Sequence, residues 1–179
     1  MSLKKEFISN IIFSIVTQII SIVVSLVMTL GIPKLLSLKD YGYWQLFIFY
    51  IGFIGFFQLG LSDGLYLKYG GKEFNNINKQ IIKSQLVFAM LFQTAISLGI
   101  IAYVFFTGSE APRFYILMAF AFYLIIGNLI TLLGFLLLST NRIKEYSKSV
   151  LVDKVSFILL LLLLFIKREI SMYNLIILF

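Results

Sequence analysis

The sequence predicts an all-α, polytopic integral membrane protein, and three observations carry that prediction. Of the 179 residues, 60% are hydrophobic and 13% are charged. The mean hydropathy is +1.00. Four runs without a charged residue are 22 to 28 residues long, and about 20 apolar residues cross a bilayer as a helix. A soluble core cannot bury this much apolar surface, so lipid is expected to solvate most of it.

The predicted spans follow the uncharged runs along the chain. A fifth run, Val155 to Ile166, has only 12 residues, but the adjoining residues 149–154 extend it to an ordinary span. The last residues, NLIILF, are typical of the beginning of a sixth span that is cut short. We therefore expect one membrane-embedded helical lobe over residues 1–179, with spans at about 7–31, 43–62, 84–106, 114–138 and 150–166 and a truncated span at 174–179.

The first span is predicted to be a retained membrane helix and not a secretory signal. Lys4 and Lys5 precede it, as they would precede a signal peptide. However, the uncharged run from Phe7 to Pro33 has 27 residues, whereas the apolar region of a signal peptide has about 7 to 15.

The distribution of Lys and Arg predicts the orientation. The N-terminus and the connections at 63–83 and 139–154 carry ten of these residues, and the alternate connections carry five. Because basic connections stay on the cytoplasmic side, we expect a cytoplasmic N-terminus in the cytoplasmic (inner) membrane. The net charge of +7 is then explained by anionic lipid headgroups at that face, and no nucleic-acid partner is expected.

Several kinds of chemistry are excluded by composition. The sequence contains no Cys and no His, which removes disulfides, thiolate nucleophiles, imidazole bases and most zinc sites. No group of Asp and Glu residues has a spacing that would chelate a metal. Asp63 and Asp153 are the acids nearest to membrane depth, and each could carry a coupling ion or pair with a nearby Lys. We expect no cofactor and no metal.

Six polar side chains recur along one face of the first predicted helix. At about 100° per residue they fall within one narrow arc. They could line a polar cavity, or they could form a packing face, because Ser and Thr permit close helix contacts and bond back to their own backbone. Both interpretations stay open for these residues, which are Asn10, Ser14, Thr17, Gln18, Ser21 and Ser25.

Uncharged amides also occur inside the later spans. Gln93 lies in the third span and Asn128 in the fourth, while Gln45 and Gln58 lie in the second. Amides donate and accept hydrogen bonds without a buried counter-ion, which suits the recognition of sugar hydroxyls. Bonds between helices are the other interpretation. Gln93 and Asn128 are therefore candidate cavity residues.

The stretch DGLYLKYGGKEF interrupts this apolar sequence after the second span. Its Ser62-Asp63-Gly64 and Gly70-Gly71 segments have turn chemistry, and its lysines and tyrosines suit the headgroup region. It could be an interfacial loop, or a gate at the cytoplasmic mouth of a cavity. The gate candidates are Asp63, Gly64, Lys68, Gly70, Gly71 and Lys72.

The order of these residues resembles a known family. DGLYLKYGGKEF after a Gly-rich second span, with KLLSLKDYGYWQLF after the first, is similar to the polysaccharide transporter branch of the multidrug/oligosaccharidyl-lipid/polysaccharide exporter superfamily, which includes the Wzx-type O-antigen flippases. The resemblance covers residues 10–78 and continues only in hydropathy. It implies the N-terminal half of a two-lobed transporter, and not an enzyme.

The resemblance also implies a function. Such a flippase moves polyprenyl-diphosphate-linked oligosaccharide across the cytoplasmic membrane for O-antigen or capsule biosynthesis, by alternating access and with coupling to H⁺ or Na⁺. Its partners are the bilayer and the lipid-linked substrate. One departure stands out, because no Lys or Arg lies at the middle of a clear span to meet the diphosphate. A membrane-embedded enzyme and a scaffold subunit of a polysaccharide assembly complex remain the alternatives.

Overall fold

The chain is helical throughout the part that the structure describes. The structure is a computed structural model that describes residues 3–108, 110–167 and 170–179, with residues 3–7 described by their backbone alone. No β-strand occurs among these residues, which confirms the all-α prediction. Their α-helices are α1 (Leu3–Leu35), α2 (Leu38–Gly52), α3 (Leu61–Tyr69), α4 (Lys79–Thr107), α5 (Ala111–Ser139), α6 (Ile143–Lys167) and α7 (Met172–Leu178). Short 3-10 segments cover Ile54–Gln58 and Phe74–Asn76.

Four of the helices are long and apolar enough to cross a membrane. They comprise residues Ile8–Leu35 of α1 together with α4, α5 and α6. The second predicted span differs from one straight helix, because residues 38–58 and 61–69 form two pieces bent by 53°. If this bent pair crosses as one span, the described residues contain five candidate spans. Helices of this length and hydropathy are those of a membrane protein.

Local chemistry explains where the helices begin and end. The Asn78 side chain accepts hydrogen bonds from the backbone N–H groups of Gln80 and Ile81 at 3.0 and 3.3 Å and so caps α4. Gly108 ends α4 in the left-handed conformation, with φ of 58°. Ser37 caps α2 by accepting from the Asp40 N–H at 3.1 Å.

Two compact units make up the fold. The first unit contains residues up to Tyr41 and from Arg142 onward, and the second contains Gly42–Asn141. In the first unit α1 packs along α6, and α6 contacts α7. The Phe157 and Phe179 rings meet edge to face at 6.4 Å within it. The expectation of a single lobe stays a prediction.

The second unit is built on an antiparallel pair, α4 and α5. The Ser97 hydroxyl near the middle of α4 donates to the Ala121 carbonyl oxygen of α5 at 2.8 Å. Near the connection between them, the Phe105 and Phe114 rings are 5.6 Å apart. Helix α3 packs on the far end of α5, where Leu65 is buried with Leu132 and Leu136.

Helix α5 is the most enclosed candidate span. In its most apolar window 44% of the residues are buried, against 6% for α6. Asn128 and Gly127 are among its buried residues. Polar groups inside the second unit are therefore expected to gather around α5, where lipid cannot reach them.

Candidate functional site

The second hydrophobic segment breaks within a few residues of its middle. Helix α2 ends at Gly52, the 3-10 segment follows, and α3 begins at Leu61. Between them Leu59 and Gly60 have left-handed backbones, with φ of 49° and 72°. A break of this kind removes regular helical hydrogen bonds, so its backbone groups need other partners at membrane depth.

Gln93 of α4 supplies one such partner. Its side-chain Nε2 donates to the backbone carbonyl oxygen of Phe57 at 2.7 Å. Phe57 lies in the 3-10 segment, just before the left-handed pair. The bond satisfies a carbonyl group that a continuous helix would have paired internally.

A small cavity lies beside this bond. Its volume is about 10 Å³, which is room for about one water molecule. Three amide side chains, Gln58, Gln93 and Asn128, converge there from the 3-10 segment, α4 and α5. We name it the amide cavity. The other lining residues are Leu61, Ala89, Met90, Ile125, Leu129 and Leu132.

The hydrogen-bonding capacity of the amide cavity is only partly used. Asn128 is 3% exposed, and neither its Nδ2 nor its Oδ1 has a hydrogen-bond partner among the described residues. The Gln93 Oε1 is buried and is equally without a partner there. Gln58 Oε1, by contrast, accepts from the Ser62 hydroxyl at 2.6 Å. A buried amide without partners costs about 1–3 kcal/mol, so this arrangement favours a polar ligand or water.

The unused groups include both a donor and acceptors. Asn128 Nδ2 can donate, whereas Asn128 Oδ1 and Gln93 Oε1 can accept. A hydroxyl or a water molecule can satisfy both kinds of group, because its oxygen accepts while its hydrogen donates. A bare cation would leave the Asn128 donor unsatisfied. The cavity therefore suits water or the hydroxyl of a ligand.

The polar stripe of α1 divides between buried and exposed positions. Thr17 is buried, and its hydroxyl donates to the Phe13 carbonyl oxygen at 2.7 Å and lies 3.5 Å from the Ser147 carbonyl oxygen of α6. Asn10, Ser14 and Ser21 are half-buried, whereas Gln18 and Ser25 are exposed. Thr17 thus packs α1 against α6. The six residues belong to the first unit and the amide cavity to the second.

The gate candidates lie on α3 and directly after it. Asp63, Gly64 and Lys68 are exposed on the helix, and Gly70 and Gly71 follow its end. Turn chemistry at Ser62-Asp63-Gly64 was a wrong interpretation, since these residues are helical. The left-handed pair Leu59–Gly60 makes the turn earlier, and Asp63 instead occupies the first turn of α3, where the helix dipole favours an acid.

The turn predicted at Gly70-Gly71 is confirmed. Gly71 has φ of 78°, a conformation that glycine adopts without steric cost. Its N–H donates to the carbonyl oxygen of Ser139 at the end of α5, at 3.1 Å. This bond attaches the segment after α3 to α5.

Two gate lysines share one aromatic ring. The Nζ atoms of Lys68 and Lys72 lie 5.6 and 5.8 Å from the centre of the Tyr69 ring. The ring itself is buried. Both ammonium groups are therefore held near the same point at the end of α3, where they could meet an anion.

The acids considered for ion coupling are both exposed. Asp153 pairs with its neighbour Lys154, with Oδ2 and Nζ 3.0 Å apart. Asp63 lies on the surface of α3. No group of three or more metal-ligating side chains occurs among residues 3–108, 110–167 and 170–179.

Sequence reasoning missed Gln58 as a site residue. It was named only as one of two amides in the second span. The nearby Gly60 marks the place where the helix breaks and turns Gln58 toward α4 and α5. An amide placed two residues before a glycine in an uncharged run was the available indication.

Comparison with known proteins leaves the family of this chain open. No protein-family model matches the chain, and no curated protein or solved structure matches it significantly. The resemblance to the polysaccharide transporters therefore stays an expectation from the sequence.

Proposed function

We propose that this chain is a lobe of a membrane translocase that moves polyprenyl-diphosphate-linked oligosaccharide for surface polysaccharide biosynthesis. One observation carries the proposal, namely a broken membrane segment whose break faces a cluster of buried amides. Substrate sites of secondary transporters are typically formed by such discontinuous helices. The substrate class follows from the family resemblance of residues 10–78.

The break gives the lobe a place to bend. Leu59 and Gly60 lie between the 3-10 segment and α3, and the bond from the Ser62 hydroxyl to Gln58 Oε1, which motion at the bend would break, crosses them. The short 3-10 segment before them is tied to α4 by the bond from Gln93 to Phe57. Motion of α3 relative to this segment would open or close the amide cavity, which is the kind of change that alternating access requires.

The amide cavity suits a neutral polar substrate group. Its present volume of about 10 Å³ is too small for a sugar, so the structure corresponds to a closed state under this proposal. Opening would expose the unused Asn128 and Gln93 groups to sugar hydroxyls. Amides bind such hydroxyls without the desolvation cost of a buried charge.

The paired lysines at the end of α3 suit the phosphate groups. Lys68 and Lys72 lie over one ring, and within the described part of the chain neither forms an ion pair with an acid. Under the proposed orientation this end of α3 faces the cytoplasm, where the diphosphate would first meet the protein. The sugar is then directed to the amides and the diphosphate to the lysines.

The test compares Asn128→Leu with Thr131→Val in the full-length protein. Thr131 donates only to the Gly127 carbonyl oxygen of its own helix, at 2.8 Å, so it is a matched control. Surface polysaccharide and the accumulation of lipid-linked precursor are measured together with the abundance of the protein in the membrane. We expect Asn128→Leu to lower export at least tenfold while its abundance stays at the wild-type level.

Stability separates this function from a scaffold role. Leucine at position 128 needs no hydrogen-bond partner, so it should leave the free energy of unfolding within about 1 kcal/mol of the wild-type value. A scaffold subunit would then work as well as the wild type. Normal export by a stable Asn128→Leu protein would therefore reject the translocase proposal.

A further inference from the structure

A wide apolar groove lies in the second unit, separate from the amide cavity. Its volume is about 620 Å³, which is within the range of about 300–1,000 Å³ typical of ligand pockets. It is lined almost entirely by aromatic and aliphatic side chains, with one charged residue, Arg113. We name it the aromatic groove.

Three elements form its walls. Helix α4 contributes Ile96, Gly99, Ile100 and Tyr103, which share one helix face because they are spaced by three and four residues. Helix α5 contributes Arg113, Leu117 and Phe120. The remaining wall, from α2, the 3-10 segment and the residue between them, consists of Phe49, Tyr50, Phe53, Phe56 and Phe57.

The groove has a charged end and an apolar end. Arg113 lies in the first turn of α5, and Phe120 lies seven residues further along that helix, or about 10 Å at 1.5 Å per residue. Tyr103, near the end of α4, is on the same side as Arg113 because the two helices are antiparallel. The hydroxyl of Tyr103 and the guanidinium group therefore lie toward the hairpin end of α4 and α5, whereas Ile96 and Phe120 lie deeper.

Arg113 is available to an external anion. Its side chain is exposed, and it forms no ion pair with any residue in the described ranges. Glu110 is three residues away, but the two are not paired. A lone cation at the end of an apolar groove in a membrane protein matches a ligand with an anionic head and a hydrocarbon chain.

We propose that the aromatic groove binds one glycerophospholipid of the bilayer, with an acyl chain along Phe53, Ile100 and Phe120 and the phosphate on Arg113. A guanidinium group binds a phosphodiester by charge-assisted hydrogen bonds. A single cation matches the single charge of a phosphodiester, whereas a diphosphate carries more charge than one arginine balances. The site therefore takes a membrane lipid and is distinct from the proposed substrate path.

Gly99 offers a direct way to fill the groove. A Cβ atom added there would meet no heavy atom within 4 Å, so a larger side chain would extend into the groove without a clash at its base. At Gly42, on α2, an added Cβ atom would also meet no heavy atom within 4 Å, but Gly42 does not line the groove. Gly99→Trp and Gly42→Trp are thus a matched pair. Arg113→Gln and Lys148→Gln form a second pair, since Lys148 is exposed on α6.

The experiment measures lipid retention by the purified full chain in detergent. Native mass spectrometry counts bound molecules after addition of phosphatidylglycerol, or of diacylglycerol, which has the same acyl chains but no phosphate. We expect the wild type and both controls to retain one phosphatidylglycerol in preference to diacylglycerol. Arg113→Gln should lose that preference, and Gly99→Trp should lose retention of both lipids.

The outcomes that overturn the proposal are equally specific. Undiminished retention of phosphatidylglycerol by Gly99→Trp would place the lipid elsewhere. An unchanged headgroup preference in Arg113→Gln would remove the phosphate contact. Because the assay involves no transport, a failure of the translocase proposal leaves this result unaffected.

Discussion

Gln93 and Phe57, which are 36 positions apart in the sequence, are joined by a hydrogen bond of 2.7 Å from the side-chain Nε2 of Gln93 to the backbone carbonyl oxygen of Phe57. The bond links the middle of α4 to the 3-10 segment at the helix break. The same glutamine lines the amide cavity, and its buried Oε1 has no partner among the described residues. One side chain thus both supports the break and contributes to the candidate site.

The first prediction concerns this bond. Gln93→Leu should lower the free energy of unfolding by about 1–2 kcal/mol, because the Phe57 carbonyl group loses its partner in an apolar environment. Thr94→Val is the control, since the Thr94 hydroxyl donates only to Met90 of its own helix, at 2.8 Å. The measurement is thermal unfolding in detergent followed by circular dichroism. Equal melting temperatures for the two variants would contradict the structural role of the bond.

The second prediction concerns the left-handed pair. Leu59→Gly should stabilise the protein by about 1 kcal/mol, because leucine pays a steric cost at φ of 49° and its side chain is exposed. Gly60→Ala should destabilise by a similar amount at φ of 72°. Gly64→Ala, at an open helical position, should be stabilising or neutral. If the three variants share one melting temperature, the break is not present in solution.

Gly127 provides the third prediction. A Cβ atom there would lie 3.0 Å from Cε1 of Tyr123, so Gly127→Ala requires a shift of that ring. The ring also meets Phe47 edge to face at 6.5 Å, and we expect a cost of about 1 kcal/mol or more. Gly99→Ala has open space and should gain stability. A Gly127→Ala protein as stable as Gly99→Ala would show that the ring moves freely.

The buried hydroxyl of Tyr69 gives the fourth prediction. It has no hydrogen-bond partner among the described residues, although the ring is 3% exposed. Tyr69→Phe should therefore be neutral or stabilising by up to about 1 kcal/mol, since it removes an unsatisfied polar group and keeps the ring under Lys68 and Lys72. Unfolding in detergent measures the change. A clear loss of stability would reveal a partner for the hydroxyl.

The fifth prediction concerns the orientation in the membrane. Single cysteines are informative in this chain because it has none of its own. Asn76→Cys and Lys148→Cys should react with a membrane-impermeant maleimide only after the cells are broken and the cytoplasmic face of the membrane becomes accessible. Glu110→Cys should react in intact cells. Lys148 is exposed on α6, so a cysteine there is accessible to the reagent. Labelling of Asn76→Cys from outside would reverse the predicted orientation.

The helices could be predicted from the sequence, but the break could not be located. Long uncharged runs identify α1, α4 and α5 because lipid solvation demands continuous apolar sequence. The break could not be located in the same way, because residues 53–60 are as apolar as the residues of a continuous membrane helix. Gly60 allowed a bend, but nothing about Leu59 favours a left-handed backbone.

The candidate site could be predicted in its chemistry and only partly in its geometry. Gln93 and Asn128 were identified as cavity candidates, and the structure brings them to one cavity through the antiparallel register of α4 and α5. The periodicity of the six polar residues on α1 placed them on one helix face. It did not show which other helix packs against that face. Thr17 approaches Ser147, which lies 130 residues away in the sequence, and no local pattern encodes such a pairing.

The pairing of α1 with α6 has a consequence for synthesis of the protein. Helix α1 ends at Leu35 and α6 begins at Ile143, so a ribosome adding about 5–20 residues per second needs roughly 5–20 seconds to make the intervening chain. During this interval α1 has been synthesised, but α6, which packs against Thr17, has not. The unit formed by Gly42–Asn141 is complete before α6 emerges. A nascent chain that stalls before Ile143 therefore leaves α1 without α6. We expect membrane-insertion and quality-control factors to bind α1 in that state.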